Sequence, residues 1–349
     1  MSSDPGKQIS DRKKDHIKLN LTDKVAFRSK SNGFENYDFI HDASTEVEYE
    51  KINFRTKVFG KKTGYPFLIS CMTGGTPEAE GINAKLAEAA AELNIAIGLG
   101  SQRQAIENDL YLRSYKVIRE KAGKVPLFGN IGAAQIVQLK DFGIIEKLAE
   151  SVGADAMVVH VNPAQELMQP EGDLNFKGFG KKLTKLVRTL SVPVIVKEVG
   201  AGISDEAAHR FLEAGVAGID VAGAGGTSWT GIEMLRSNSE EDPTFWDWGN
   251  PTSFCIKNVA RLKKNYKFVL IGSGGINSAS DAAKAFALGA DLAASARIIL
   301  KTLHNGGPEE VINLIKGWFD VIKKIMFLTG SQNLNDLKNN KIIIKKDFF

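Results

Sequence analysis

The 349-residue chain sets 45 Lys and Arg against 41 Asp and Glu, a net charge of +4. The lysines are spread along the chain rather than gathered into the basic stripe of a nucleic-acid binder. No apolar run approaches the roughly 18 residues of a membrane span, and the N-terminal MSSDPGKQISDRKKDH has no apolar signal-peptide core. A hydrophobic content of 43% and a charged content of 25% suit a soluble globular enzyme. The two cysteines, Cys71 and Cys255, lack metal-ligand spacing. They read as free thiols in a reducing, cytoplasmic setting.

Residues 1–60 are polar. They hold a basic segment at 11–16 and an extended stretch at 45–58. We expect them to form an N-terminal extension packed on a barrel spanning 61–330, with a C-terminal tail at 331–349. The segment DRKKDH sets cations beside His16. It reads either as a solvated arm or as an arm folded over a binding site. From about residue 60, short apolar runs alternate with glycine-rich or polar turns and amphipathic helical stretches. Strands are predicted at 66–70, 95–98, 126–129, 156–161, 193–197, 218–221, 268–271 and 291–294. Helices are predicted at 78–93, at 204–214 behind the N-cap Ser204, and at 278–288. Eight βα units in about 250 residues predict an α/β fold, a (β/α)8 TIM barrel. A doubly wound open sheet is the rival, but it places its glycine-rich phosphate turn early. Here such turns come after strands six to eight. The run Ile342–Ile344 reads as an edge strand or as a surface packed on a neighbour.

Barrels place their chemistry at strand C-terminal ends. The fourth strand ends in HVNPAQELMQPEGDLNF, residues 160–176. His160, Asn162, Gln165, Glu166, Glu171 and Asp173 give one imidazole, two amides and three carboxylates, a set able to bind a cation and orient a polar ligand. A plain surface loop is equally polar. The turns IGSGGINSASD (271–281) and AASAR (293–297) follow strands seven and eight, where barrels commonly cradle phosphate. VAGAGGTSW (221–229) adds hydroxyls at Thr227 and Ser228, and Trp229 either covers a ligand or packs in the core. Lys197 ends strand five, where a buried ammonium calls for an anion. Its partner is a ligand or else Glu198 or Asp220. SCMTGGT (70–76), GLGSQR (98–103) and GNIG (129–132) bring Arg103 and Asn130 to the same end.

In this order the motifs resemble those of type 2 isopentenyl diphosphate isomerase. The likeness runs from RKKDH through MTGGT, GSQR, HVNPAQE with PEGD, VKEVGAGIS, AGAGGTSW and GSGGI to LTGSQNLNDL at 328–337. The resemblance implies a barrel that binds FMN and Mg2+ and works with the flavin reduced, by NADPH or otherwise. It converts isopentenyl diphosphate to dimethylallyl diphosphate as a tetramer or octamer. It would place Met72, Thr73, Gly74, Ser101, Asn130 and Lys197 along the flavin ring. Thr227, Gly274, Gly275, Ala294 and Ser295 would hold its ribityl and phosphate groups. Arg12, Lys13, His16, Ser101, Arg103, His160, Asn162 and Gln165 would bind the substrate, and Glu166 the Mg2+. No side chain is a certain catalyst; Lys197, Gln165 and Glu233 would support the reduced flavin as acid and base. Asp15 stands where glutamate is common in that family, and Cys71 replaces another small residue. The alternative is an FMN-dependent barrel oxidoreductase acting on a small anionic substrate, for which the sequence offers no evident base. A non-catalytic sensor of a phosphate-bearing ligand is a further option.

Overall fold

The computed structural model describes residues 5–107, 111–237, 242–339 and 341–348. Residues 1–4, 108–110, 238–241, 340 and 349, among them the outer ends of the expected extension and tail, lie outside the described residues. Three short strands precede the main sheet: β1 (Tyr37–Phe39), β2 (Thr56–Val58) and β3 (Lys61–Thr63). Eight parallel strands then close a barrel in chain order: β4 (Phe67–Ile69), β5 (Ala96–Gly98), β6 (Leu127–Gly132), β7 (Ala156–His160), β8 (Val194–Lys197), β9 (Gly218–Asp220), β10 (Val269–Gly272) and β11 (Leu292–Ser295). The ring closes where β11 pairs with β4, Ala294 opposite Leu68.

All eight predicted strands are present, with their ends moved by at most three residues. The largest shift is in β6, which runs on to Gly132 because its ladder with β7 continues to Gly132 opposite His160. GNIG therefore lies within the strand to its last residue. The strands are apolar on both faces because both are covered. Inward-facing Leu68, Ala96, Phe128, Ala156, Ile195 and Leu292 fill the barrel, while Phe67, Ile69, Ile97 and Val196 pack outward on the helices. The β2–β3 hairpin plugs the base with Val58 and Phe59, the Phe59 ring lying 5.8 Å from Phe128.

The helix starts follow side-chain capping. Thr76, Ser204 and Ser278 accept the N–H of Ala79, Ala207 and Asp281 and open the helices Pro77–Leu93, Asp205–Glu213 and Ala279–Ala287. The basic segment belongs to a helix, Pro5–Asn20. That helix lies across the open C-terminal end of the barrel, so the basic segment is an arm over the mouth and not a solvated one. The strand β12 (Ile342–Ile344) is resolved as an edge partner: it pairs antiparallel with β1, Tyr37 opposite Ile344. No helix among the described residues is long and apolar enough to cross a membrane.

Candidate active site at the barrel mouth

The C-terminal strand ends open into one cleft under the helix Pro5–Asn20. Arg12, Lys13, His16, Met72, Thr73, Gly74, Ser101, Arg103, Asn130, His160, Asn162, Gln165, Glu166, Lys197, Thr227, Gly274, Gly275, Ala294 and Ser295 all line it. Glu233 lies one layer behind, with its side chain fully buried. Trp229 also lines the cleft and meets the His16 ring edge-on at 5.0 Å.

One end of the cleft is built from backbone. Gly274 and Gly275 have φ of 102° and 67°, values that L side chains rarely adopt. A Cβ on Gly274 would stand 2.1 Å from Gly223 O, and one on Gly275 would stand 2.4 Å from Gly225 O. Only glycine lets these two loops meet. The Ser295 hydroxyl donates to Ile276 O at 2.7 Å and ties the β11 end to the same loop.

The opposite end is built from charge. Lys13 Nζ donates to Gly74 O at 2.6 Å and to Ser101 O at 3.3 Å. Tyr115 donates to the same Ser101 oxygen at 2.6 Å. Arg12 lies 3.5 Å from Glu171, which also takes Arg236 at 3.4 Å. Glu233 gathers His16 at 2.9 Å, Gln165 at 3.0 Å, and Arg236. Burial works to raise the Glu233 carboxyl, but these donors outweigh it and hold it below the ordinary carboxylate range. It therefore serves as a fixed anion that orients Gln165 and His16.

Asn162 Nδ2 donates to Glu166 Oε1 at 3.0 Å, and Glu166 Oε2 accepts the Asp173 N–H at 2.8 Å. The Asn162 Oδ1 atom is buried with no partner among the described residues, on a side chain that lines the cleft beside a carboxylate. Asn130 Nδ2 donates to Leu99 O at 3.1 Å, so its Oδ1 accepts from His160 Nδ1 at 2.7 Å. Burial, then the nearby Lys197, Lys13 and Arg12, push His160 down to about 4. It is a neutral imidazole whose Nε2 carries the free lone pair.

Lys197 is 8% exposed at the end of β8 and donates to Glu198 O at 2.6 Å. The Glu198 carboxylate is engaged by its own turn, taking the N–H groups of Val199 and Gly200 at 2.6 Å. Asp220 is the register partner of Lys197 on β9 and accepts from Ser273 at 2.5 Å. Burial raises both carboxyls, and Lys197 works against that rise in each. Burial also pushes the Cys71 thiol up to about 11, so it stays protonated where it lines the cleft.

Sequence reading did not single out Tyr115, Gln135 or Arg236. Gln135 lines the cleft, Tyr115 shares the Ser101 carbonyl with Lys13, and Arg236 joins Glu233 to Glu171. Only Arg236 left a signal, its i+3 spacing from Glu233 on the helix Trp229–Ser237.

The FMN-dependent dehydrogenase family matches residues 6–164 and 162–344. The isopentenyl-diphosphate delta-isomerase of Chlorobium phaeobacteroides is 41% identical over 357 aligned residues, covering 98% of each chain. That of Archaeoglobus fulgidus is 41% identical over 339 residues, covering 96% of each. Among solved structures, a lactate oxidase of Pediococcus acidilactici superposes with a TM-score of 0.70 at 18% identity, covering 99% of this chain and 95% of that one. A flavocytochrome b2 variant does so at 0.70 and 19%, covering 95% and 83%. The two structures speak for the barrel alone. The sequence relatives decide more: the chain belongs to the type 2 isopentenyl-diphosphate delta-isomerase family, whose barrel is that of the FMN-dependent dehydrogenases.

Proposed function

We propose that the protein isomerises isopentenyl diphosphate to dimethylallyl diphosphate, with FMN and Mg2+ bound at the barrel mouth. The observation that carries this reading is that one cleft has two anion-binding ends. The glycine cradle at Gly274 and Gly275 fits a cofactor phosphate, and the cations Arg12, Lys13 and Arg103 face it across the mouth. A phosphate-bearing cofactor and a diphosphate substrate occupy such a cleft together.

The residues fit FMN. The cradle is bare backbone that a Cβ would fill, and Thr227, Ala294 and Ser295 adjoin it. Met72, Thr73, Gly74, Ser101 and Asn130 would hold the ring, with the Lys197 ammonium beside it to favour negative charge there. When bound, reduced flavin would supply acid–base chemistry for an isomerisation that needs a proton gained at C4 and one lost from C2.

The chain's own groups bind, orient and exclude water. Arg12, Lys13, Ser101 and Arg103 grip the diphosphate, Arg103 with a planar, bidentate contact, while His160 Nε2 and Asn162 Oδ1 line the same end as acceptors, suited to a metal-bound water there. Mg2+ takes one or two carboxylates together with phosphate oxygens. Glu166, with the unpartnered Asn162 oxygen beside it, fits that need. Gln165 is held toward the alkene by Glu233, and His16 is held by the same carboxylate. The helix Pro5–Asn20 and Trp229 line the cleft from above, where an unactivated alkene must meet its proton donor away from water. By the same family likeness the enzyme is a homo-oligomer, and exposed Trp248 and Phe254 fit such an interface.

The test is anaerobic. Protein with FMN, Mg2+ and NADPH or another reductant is given isopentenyl diphosphate and assayed for dimethylallyl diphosphate. Product that needs reduced flavin and vanishes on Mg2+ chelation is the expected result. Bound flavin with no product, and oxidised flavin reduced by a small hydroxy acid instead, would replace the isomerase by an oxidoreductase.

A further inference from the structure

Both carbonyls of the glycine cradle are drawn away from the cleft by side chains that do not line it. Thr252 Oγ1 donates to Gly274 O at 2.6 Å, and Asn32 Nδ2 donates to Gly275 O at 2.7 Å. The Asn32 amide has one orientation open to it. Its Oδ1 accepts the Phe34 N–H at 3.1 Å, so the nitrogen end must face Gly275. The Asn32 backbone is fixed as well. Its carbonyl accepts the Ser253 N–H at 3.0 Å, and a Cβ on Gly225 would stand 2.1 Å from Asn32 N. A Cβ on Gly226 would in turn stand 2.6 Å from Gly275 N. Three chain segments are thus stacked backbone on backbone: the Asn32 segment on Gly225, and Gly226 on Gly275.

In a trans peptide the C=O and N–H point in opposite directions. Drawing the Gly274 and Gly275 oxygens outward turns the N–H groups of Gly275 and Ile276 the other way. Among the described residues, neither N–H has a protein acceptor. Backbone N–H groups left open in this way call for an anion.

We propose that Asn32 is a positioning residue of the phosphate cradle: it locks the Gly275–Ile276 peptide so that its N–H faces a bound phosphate. Thr252 does the same for the preceding peptide. The assignment rests on the reading of this end as the FMN phosphate site. It adds a residue from the N-terminal extension, 243 positions away in sequence, to the cofactor machinery.

The experiment compares two flavins that differ only in the phosphate. Apoprotein is titrated with FMN and with riboflavin, following flavin fluorescence, for the wild type, Asn32→Ala and Thr252→Val. The last is a near-isosteric exchange that removes the hydroxyl and keeps the test alive if Asn32→Ala does not fold. Each variant is expected to bind FMN about five- to tenfold more weakly, the worth of one lost hydrogen bond. Riboflavin affinity should stay within about twofold, because nothing at the ring end has changed. Equal weakening of both flavins, or no weakening of either, would overturn the positioning role. Wild-type protein that binds FMN no better than riboflavin would overturn the cradle assignment and this inference with it.

Discussion

The two ends of the barrel both carry buried charge and treat it in opposite ways. At the base, Asp155 takes Lys61 at 2.7 Å, Arg119 at 2.9 Å and the Leu127 N–H at 2.9 Å. Asp291 repeats the arrangement with Lys263 and Lys338, each at 2.7 Å, and the Leu270 N–H at 2.9 Å. Each aspartate closes a Gly-Ala-Asp triplet just before a strand, 153–155 and 289–291, and ties down the start of the neighbouring strand. Burial works to raise Asp291, but Lys338 and Lys263 outweigh it and hold the carboxyl low. Around Lys197 at the mouth the balance reverses. Glu198 and Asp220 are raised, and His160 is lowered, with burial as the leading cause each time. Charge that is neutralised within the protein stabilises the fold. Charge left short of partners costs stability and is retained where a ligand will complete it.

This contrast is open to attack first at Lys197, where the largest effect is expected. Lys197→Ala should lower turnover by roughly a hundredfold or more, the size of a lost electrostatic contact in a dry site. Its apoprotein should nevertheless unfold at an unchanged or higher denaturant concentration. A variant that is clearly less stable would make Lys197 a structural group and end the contrast.

His160 gives the next largest effect, with a definite sign. Its folded value, about 4, lies below the 6.5 of the unfolded chain. Between those values the unfolded state binds the extra proton, so stability rises with pH across that window and falls as the pH drops through it. The slope is at most about 1.4 kcal/mol per pH unit. Urea unfolding of the wild type from pH 4 to 6.5 should show it, and His160→Asn should flatten it by up to one proton. Parallel slopes would mean that His160 is not held neutral by the mouth.

Much of this was legible in the sequence, for identifiable reasons. Strands covered on both faces read as unbroken apolar runs, so 156–161 and 193–197 could be placed to within a residue or two. Gly274 and Gly275 were legible as a tight turn, because a close approach of two loops needs glycine and this one follows the seventh barrel strand. Asn32, Thr252 and Tyr115 were not, since each acts through a backbone atom that reaches it only when the chain has folded. The partner of Ile342–Ile344 was undecidable for the same reason: β1 lies at the other end of the chain. The Gly-Ala-Asp triplets were present as a repeat, but their meaning depends on Lys61, Arg119, Lys263 and Lys338, which no local pattern connects to them.

A stability experiment at the base sharpens the contrast from the other side. Asp155→Asn removes the shared partner of two cations and should cost about 2 kcal/mol on denaturant unfolding. The kcat of the folded fraction should stay that of the wild type. A fall in kcat without a loss of stability would move Asp155 from the frame of the barrel to its chemistry.

The smallest effect lies on the acid limb at Asp291. Its folded carboxyl is held below the 3.8 of the unfolded chain. Its contribution is therefore fully present above that pH and is lost as the pH falls below it. The side chain is 30% exposed, so solvent screening limits the term to about 1 kcal/mol. Asp291→Asn should be less stable than the wild type at pH 7, and the gap should narrow by part of that amount at pH 3, more visibly at low salt. A gap that stays constant down to pH 3 would mean that Lys263 and Lys338 hold a neutral side chain as well as a charged one. The base would then be locked by shape and hydrogen bonding rather than by charge, and its difference from the mouth would lie in packing alone.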